Sequence, residues 1–185
     1  MNHPVILASA SPRRKELLSN IIRDFAIIPS SIPEVASGSP RPQVIRLAKD
    51  KAADIAKDRP DAVVIGADTL VAIDQEVLGK PKNQAEAASM LKRLSGRTHQ
   101  VYTGVAVIFG PYMQTDCGVT EVTFNKLTAG EIGAYIQTRE PMDKAGAYGI
   151  QGYGGKFVRK INGCYFNVMG LPLSIVYGML KNIRK

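Results

Sequence analysis

A run of small polar residues and arginines near the start of the chain could bind a phosphate group. The run, Leu7-Ala8-Ser9-Ala10-Ser11-Pro12-Arg13-Arg14, predicts the end of a strand followed by a helix that Ser11 caps and Pro12 begins. A helix N-terminus presents free N–H groups and the positive end of the helix dipole, and guanidinium groups match phosphate oxygens. The alternative is a well-capped helix whose two arginines are only solvated.

Two acidic residues could hold a metal ion or accept a proton. Asp68, in Gly66-Ala67-Asp68-Thr69, follows an apolar run, and ligands in α/β sheets usually bind at strand ends. An aspartate there can act as a base or bind a cation, although a turn aspartate that bonds its own backbone is a common alternative. Glu34 lies in the proline-rich stretch 30–42 and supplies a second carboxylate. Together with nearby lysines and arginines, these acids favour metal-assisted attack on a phosphate chain.

Two further segments could contact an anionic ligand. Lys80 stands between a glycine and a proline on a constrained loop, and Lys51 lies on a predicted helix. A solvated lysine is the common alternative for both. The segment 143–154 is rich in glycine, so its backbone can wrap a ligand, and Gln151 carries donors and an acceptor that suit a base edge. A glycine-rich hairpin without a ligand is the alternative there.

The composition excludes several classes of protein. The chain has 185 residues, 45% hydrophobic and 22% charged, which is typical of a globular domain and not of a disordered or fibrous chain. It has no apolar run of about 18 residues that could span a membrane, and the N-terminal residues lack a secretory pattern. Two cysteines without metal-site spacing indicate reduced thiols in a cytoplasmic protein. We expect a single domain over residues 1–185.

The charge of the chain predicts an anionic partner. Lysines and arginines exceed acids by enough to give a net charge of +8. Aromatic residues make up only 6% and tryptophan is absent, which is a poor composition for stacking unpaired bases. We therefore expect no stable nucleic-acid partner and no membrane partner.

Short apolar runs and amphipathic segments alternate along the chain, which predicts an α/β or α+β fold around one sheet. The predicted strands are 5–8, 25–28, 62–65, 70–73, 100–109, 118–124, 149–150 and 157–158. The predicted helices are 11–20, 42–57, 83–94, 128–138 and 171–181. Capping boxes are predicted at Asn83 with Glu86 and at Thr128 with Glu131. Residues 30–42 are predicted to form an exposed loop.

The order of these motifs resembles the Maf family of nucleotide pyrophosphatases. Besides the N-terminal run and Gly66-Ala67-Asp68-Thr69, four further matches extend over most of the chain. They are Gly79-Lys80-Pro81, Ser95-Gly96-Arg97-Thr98-His99, Asp143-Lys144-Ala145-Gly146-Ala147-Tyr148-Gly149-Ile150-Gln151-Gly152 and Val168-Met169-Gly170-Leu171-Pro172-Leu173. Six motifs in family order are far more specific than any one of them.

The resemblance implies hydrolysis of a nucleoside triphosphate to the monophosphate and pyrophosphate with a divalent cation, Mg²⁺, Mn²⁺ or Co²⁺. It also implies an elongated, mixed-sheet α/β fold with two lobes around a central cleft, similar to the inosine triphosphate pyrophosphatases. Arg13, Thr69 and Gln151 resemble the subgroup that acts on dTTP and UTP, whereas the subgroup acting on 7-methyl-GTP has other residues there. Modified pyrimidine triphosphates are further candidate substrates.

The resemblance also implies roles for individual residues. Asp68 resembles the general base and can equally be a metal ligand, with Glu34 as the second carboxylate on the cation. Thr69 and Gln151 would read the pyrimidine edge. The residues implied to hold the triphosphate are Ser9, Arg13, Lys51, Lys80 and Lys144, and Arg14 either joins them or supports the end of the helix. The mechanism expected from this set is in-line attack of a metal-bound water on the α-phosphorus.

A second hypothesis is a nucleotide-binding regulator of septum formation, or of cell division, that binds a triphosphate without turning it over. Analysis of the reaction products separates it from the enzyme. The resemblance also allows a homodimer, although no apolar stripe in the sequence marks an interface.

Overall fold

The fold is built on a mixed β-sheet, seen in a computed structural model that describes residues 3–35 and 38–183. The strands are β1 (Val5–Leu7), β2 (Ala26–Ile27), β3 (Val63–Ile73), β4 (Glu76–Leu78), β5 (Thr98–Phe109), β6 (Tyr112–Phe124) and β7 (Val158–Asn162). The helices are α1 (Pro12–Ser19), α2 (Pro40–Ala56), α3 (Gln84–Leu94), α4 (Ala129–Gln137), α5 (Tyr165–Met169) and α6 (Leu173–Ile183). In the described residues the strand order is β2-β1-β3-β5-β6-β7, with β4 paired to β3. The α/β fold around one mixed sheet is therefore confirmed.

The chain divides into two compact units, and each is described by itself. Unit 1 holds the described residues of Met1–Thr69, Thr103–Gly118 and Gly170–Lys185. Unit 2 holds Leu70–Tyr102 and Val119–Met169. The single domain over residues 1–185 stays a prediction. Among the described residues, no helix combines the length and the apolar character that crossing a membrane requires.

Unit 1 contains the parallel strands β1, β2 and the first part of β3, and helix α2 lies very close to β3. Leu7 of β1 pairs with Ile65 of β3 on one side and Ile27 of β2 on the other. A Cβ atom at Gly66 would lie 2.2 Å from the backbone oxygen of Ala48 in α2, so only a glycine fits at this contact. The core beneath consists of small and branched apolar residues: Ile6, Ala8, Ala48, Ala52, Ala62, Val64, Ala106 and Ile108.

Strand β3 does not end where the sequence predicted. The expected break at Gly66-Ala67-Asp68-Thr69 is wrong, because β3 continues from Val63 to Ile73. Its first part pairs with β1 up to Ile65, and its last part pairs with β4 from Val71 onward. Gly66 serves the close approach of α2 to β3. Asp68 therefore stands within a long strand and not at a strand end.

Other boundaries differ for local reasons. Residues 149–150 are not a strand, because this stretch leads into a 3-10 turn over Tyr153–Phe157, and β7 begins only at Val158. Helix α2 begins at Pro40 and not at Pro42, since the first turn of a helix tolerates proline. Strand β4 and helix α5 are too short for the hydrophobic periodicity to reveal them.

The predicted helix caps are largely present. The side chain of Ser11 accepts a hydrogen bond from the N–H of Arg14, as expected for the cap of α1. Thr128 and Glu131 form the complete capping box of α4. At α3 the prediction is only half correct: Asn83 caps the helix, but the carboxylate of Glu86 accepts from the N–H of Lys82 and not from that of Asn83.

Unit 2 has a separate aromatic core that encloses a histidine. His99 is 2% exposed, and its Nε2 lies 2.8 Å from the hydroxyl of Tyr148. The ring packs edge-on against Phe124 and Tyr148, with centroids 5.0 and 5.4 Å away. Burial lowers the pKa of His99 to about 4, because the charged imidazolium would lose its hydration. His99 is therefore neutral near pH 7 and serves the core of unit 2.

Replacing Gly66 with alanine should destabilise unit 1. The new methyl group would overlap the backbone of α2, which must move away from β3 at a cost of about 1–3 kcal/mol in the free energy of unfolding. Gly133→Ala is the matched control, because α4 has open space at that position and alanine favours a helix. Denaturant unfolding measures both. Equal stability of the two variants would contradict the close approach of α2.

The buried histidine should make stability depend on pH. The unfolded chain binds a proton near the ordinary pKa of 6.5 and the folded chain only near 4, so acid favours unfolding between these values. We expect His99 to contribute a loss on the order of 3 kcal/mol as the pH falls from 6.5 to 4. The His99→Gln variant, which keeps a hydrogen-bonding side chain, should lack this contribution in denaturant titrations at several pH values. If the stabilities of the wild type and His99→Gln changed with pH in the same way, this would contradict the lowered pKa of His99.

Candidate active site

An ammonium group held between two carboxylates forms the centre of the candidate site in unit 1. The Nζ atom of Lys51 lies 2.6 Å from Oδ1 of Asp68 and 2.6 Å from Oε1 of Glu34. The Lys51 and Asp68 side chains are only 10% and 11% exposed, whereas that of Glu34 is 47% exposed. The three predicted site residues Glu34, Lys51 and Asp68 are thus brought together. Asp68 is buried but not sealed off from solvent.

The period of the β-strand explains how Lys51 reaches Asp68. Alternate residues of a strand face the same side, so Gly66 and Asp68 share one face of β3. Helix α2 packs on Gly66 through Ala48 and Ala52, and Lys51 belongs to the same turn of α2 as Ala52. The bare glycine lets the helix approach, and this close approach places the lysine at the carboxylate two residues farther along β3.

Arg14 connects the beginning of α1 to β3. Its Nη1 donates to the hydroxyl of Ser9 over 3.2 Å, and its Nη2 donates to the hydroxyl of Thr69 over 3.0 Å. Its Nε donates to the backbone oxygen of Gly170 over 2.9 Å. The fork of a guanidinium can satisfy three such acceptors at once, which an ammonium cannot do in the same geometry. Of the two roles that the sequence left open for Arg14, these contacts support the structural one.

The acids of the site offset part of the cost of burying Arg14. Burial lowers the pKa of Arg14, and the negative charges of Asp68 and Glu34 act in the opposite direction.

The N-terminal turn also contains Arg13, the residue before Arg14, which is half-buried in the first turn of α1. Ser9 is buried, and its hydroxyl also accepts a hydrogen bond from the N–H of Ser11. The N-terminal turn thus combines small polar groups with two guanidinium groups, as a phosphate-binding turn would.

The donor set fits a hard divalent cation. Glu34 and Asp68 offer carboxylate oxygens, and both already accept a cation in the form of the Lys51 ammonium. No group of three or more His, Cys, Asp or Glu residues with metal-site geometry occurs in residues 3–35 and 38–183. Magnesium suits such a sparse set, because it commonly binds through one or two carboxylates and takes its other ligands from water and substrate phosphates.

The predicted site residues of unit 2 have different surroundings. Lys80 is exposed, after Gly79 on the loop between β4 and α3. Gln151 is also exposed, in the glycine-rich loop. Lys144 is half-buried, and its Nζ donates to the backbone oxygen of Glu140 over 2.8 Å and to Asp143 over 2.7 Å. In this structure Lys144 therefore supports its own segment.

Two contacts at the site had no counterpart in the sequence reasoning. The hydroxyl of Thr103, a fully buried residue of β5, lies 3.0 Å from that of Thr69. Gly170 has a φ of +108°, and a Cβ there would lie 3.2 Å from the Thr69 hydroxyl. Gly170 belonged to a recognised motif but had no assigned role, and Thr103 had no signal beyond its place in an alternating strand.

Removing the central ammonium should destabilise the fold strongly. Lys51→Met leaves the buried carboxylate of Asp68 without its partner, for which we expect a loss of about 3 kcal/mol in the free energy of unfolding. The double variant Lys51→Met with Asp68→Asn should lose at least about 1 kcal/mol less than the sum of the single variants. Denaturant unfolding at neutral pH measures this coupling.

Lys57→Met is the matched control, because Lys57 follows α2 and pairs with Asp54 over 2.9 Å but is 62% exposed. An exposed ion pair contributes little to stability, so the free energy of unfolding of this variant should remain close to that of the wild type. Additive losses in the double variant, or equal losses for Lys51→Met and Lys57→Met, would contradict the buried arrangement.

Comparison with known proteins agrees with the motifs. The family model described as "Maf-like protein" matches residues 4–183. A relative from Clostridium novyi, named dTTP/UTP pyrophosphatase, is 53% identical over 94% of both chains. Relatives with the same name from Bacillus velezensis (51% identity; 98% of this chain, 97% of the relative) and Thermococcus onnurineus (52%; 94% of each) are similarly close.

Among solved structures, the Ham1 protein of Staphylococcus aureus matches 65% of this chain and 71% of its own, with 16% identity and a TM-score of 0.49. The similarity to inosine triphosphate pyrophosphatases stays a prediction. The family model and the relatives, in contrast, cover nearly the whole chain. The chain therefore belongs to the Maf family.

Proposed function

We propose that this protein hydrolyses dTTP and UTP to the nucleoside monophosphate and pyrophosphate. The relatives that carry this activity in their names are 51–53% identical to the chain over more than nine-tenths of its length. The observation in the structure that best supports the proposal is the buried pair of Asp68 and Lys51 with Glu34 beside it. Such a pair combines a candidate base with the cationic surroundings that a triphosphate needs.

Asp68 is the proposed base. Its carboxylate can accept the proton of a water molecule, and the ammonium of Lys51 holds this carboxylate in place. Because the Asp68 side chain is nearly excluded from solvent, its interactions with charges are stronger than they would be in water. Asp68 is also a proposed metal ligand, and the two roles are compatible because a carboxylate has two oxygens.

Glu34 and Asp68 are the residues that would hold a divalent cation. When bound, such a cation lowers the pKa of water and neutralises charge on the phosphate chain. The protein's own residues orient the substrate for in-line attack at the α-phosphorus. Ser9, Arg13 and the N-terminus of α1 bind phosphate oxygens in this proposal, and Arg14 keeps the turn in place through Ser9 and Thr69.

The remaining assignments continue to rest on the motif resemblance. Lys80 and Lys144 are proposed to bind phosphate, and Thr69, Gln151 and Arg13 are proposed to set the preference for pyrimidines. The cytoplasmic location, the homodimer and the absence of a nucleic-acid partner also stay predictions. A regulator that binds nucleotide without turnover is not favoured, because the names of the relatives are those of enzymes.

A panel of triphosphates tests the proposal. Wild-type protein with magnesium or manganese should release pyrophosphate from dTTP and UTP and much less from ATP and GTP. Asp68→Asn keeps the size of the side chain but removes the base, so kcat should fall at least about 100-fold while the circular dichroism spectrum is unchanged. The assay quantifies pyrophosphate and orthophosphate separately.

The matched control is Asp61→Asn, since Asp61 is an exposed carboxylate just before β3 and lies outside the proposed site. Its kcat should equal that of the wild type. Release of orthophosphate alone, or binding of dTTP without any product, would overturn the proposed reaction. Full activity of Asp68→Asn would remove the role assigned to Asp68.

A further inference from the structure

The glycine-rich loop of unit 2 is folded around one carboxylate that the reaction described above does not use. Glu140 follows α4 and is half-buried. Its Oε2 accepts from the N–H of Tyr153 over 2.7 Å, and its Oε1 accepts from the N–H of Gly154 over 3.1 Å. Burial raises the pKa of Glu140, but its hydrogen bonds outweigh this effect and hold the pKa below the ordinary value. Glu140 is therefore an ionised acceptor at neutral pH.

Tyr135 of α4 fixes the other end of the same loop. Its hydroxyl donates to Oε1 of Glu140 over 2.8 Å and accepts from the N–H of Gly149 over 3.1 Å. Burial raises the pKa of Tyr135, so the phenol keeps its proton and remains a donor. Glu140 and Tyr135 together bind both ends of the segment 149–154, and Gln151 lies exposed between these attachments.

The close contacts of Glu140, Tyr135 and Lys144 with the loop leave no room for side chains at its glycines. A Cβ at Gly152 would lie 2.2 Å from Oε2 of Glu140, and one at Gly154 would lie 2.7 Å from the hydroxyl of Tyr135. A Cβ at Gly149 would lie 2.7 Å from the Lys144 side chain. Each distance is below normal van der Waals contact, so the absence of side chains lets the backbone close around the carboxylate.

We propose that Glu140 is a positioning residue that holds the loop so that the amide of Gln151 can read the base of a pyrimidine nucleotide. The inference rests on the proposed function, because Gln151 can have this role only in an enzyme that prefers pyrimidine nucleotides. An amide discriminates bases through the directions of its donors and acceptor, and a loop without fixed ends would lose these directions. Glu140 acts through Gln151 and not on the reacting atoms.

The test compares selectivity and not activity alone. It uses the full chain as wild type, Glu140→Gln, Gln151→Ala and the double variant, with kcat/KM measured for dTTP and dATP. Glutamine keeps one acceptor oxygen but turns an NH₂ group toward an N–H donor, so we expect the dTTP/dATP ratio to fall about tenfold. The double variant should show the same ratio as Gln151→Ala, because Glu140 acts through that side chain.

Glu131→Gln is the matched control, because it removes an exposed hydrogen-bonded carboxylate from the cap of the same helix. It should lower stability slightly and leave the dTTP/dATP ratio unchanged.

Hydrogen exchange provides a second measurement: the amides of Tyr153 and Gly154 should lose protection in Glu140→Gln but not in Glu131→Gln. A general loss of folded protein would lower kcat/KM for both substrates and would not move the ratio.

Two results would overturn the inference while the proposed function stands. One is an active, pyrimidine-selective wild type whose ratio stays within about twofold in Glu140→Gln. The other is a double variant in which the two losses of selectivity add. A wild type that turns over no triphosphate would instead remove the proposed function, and with it the role of Gln151 on which the inference rests.

Discussion

The buried ammonium of Lys51 is the interaction on which the candidate site depends. Its Nζ atom lies 2.6 Å from a carboxylate oxygen of Glu34 and 2.6 Å from one of Asp68, in surroundings where unpaired charge is costly. The buried charges of Lys51 and Asp68 are tolerated because they are paired, so removing the ammonium leaves the Asp68 carboxylate without compensation. Gly66 makes this pairing possible, because only a residue without a side chain lets α2 approach β3 so closely. Packing and electrostatics are therefore linked at this one strand.

In each unit one charged side chain binds several polar groups, and the two side chains have opposite charges. In unit 1 the guanidinium of Arg14 gathers a hydroxyl of the N-terminal turn, a hydroxyl of β3 and a backbone oxygen at Gly170. In unit 2 the carboxylate of Glu140 gathers a phenol and two backbone N–H groups. Each charged group fixes a segment that has little regular structure of its own. Glycines occupy the positions where the backbone comes too close for a side chain, such as Gly170 and Gly152.

Much of the local structure could be predicted from the sequence, but the geometry of the candidate site could not. The strand predicted over 5–8, the cap at Ser11 and the capping box at Thr128 follow from local rules and are present, with β1 ending at Leu7. The sequence suggested Glu34 and Asp68 as carboxylates for a cation, and the resemblance added Lys51 as a phosphate ligand. No local pattern could bring the three side chains together, since Lys51 and Asp68 meet only through the packing of α2 on β3. The break predicted at Gly66-Ala67-Asp68-Thr69 was wrong, because β3 continues through these residues and Gly66 is needed for the approach of α2. The role of Arg14 depends on Gly170, 156 positions away.

Hydrolysis of dTTP in water enriched in ¹⁸O tests the central claim most directly, because the label reports which phosphorus is attacked. If the site directs water to the α-phosphorus beside Asp68, mass spectrometry will find the label in the thymidine monophosphate and none in the pyrophosphate. Label in the pyrophosphate, or in released orthophosphate, would contradict the account.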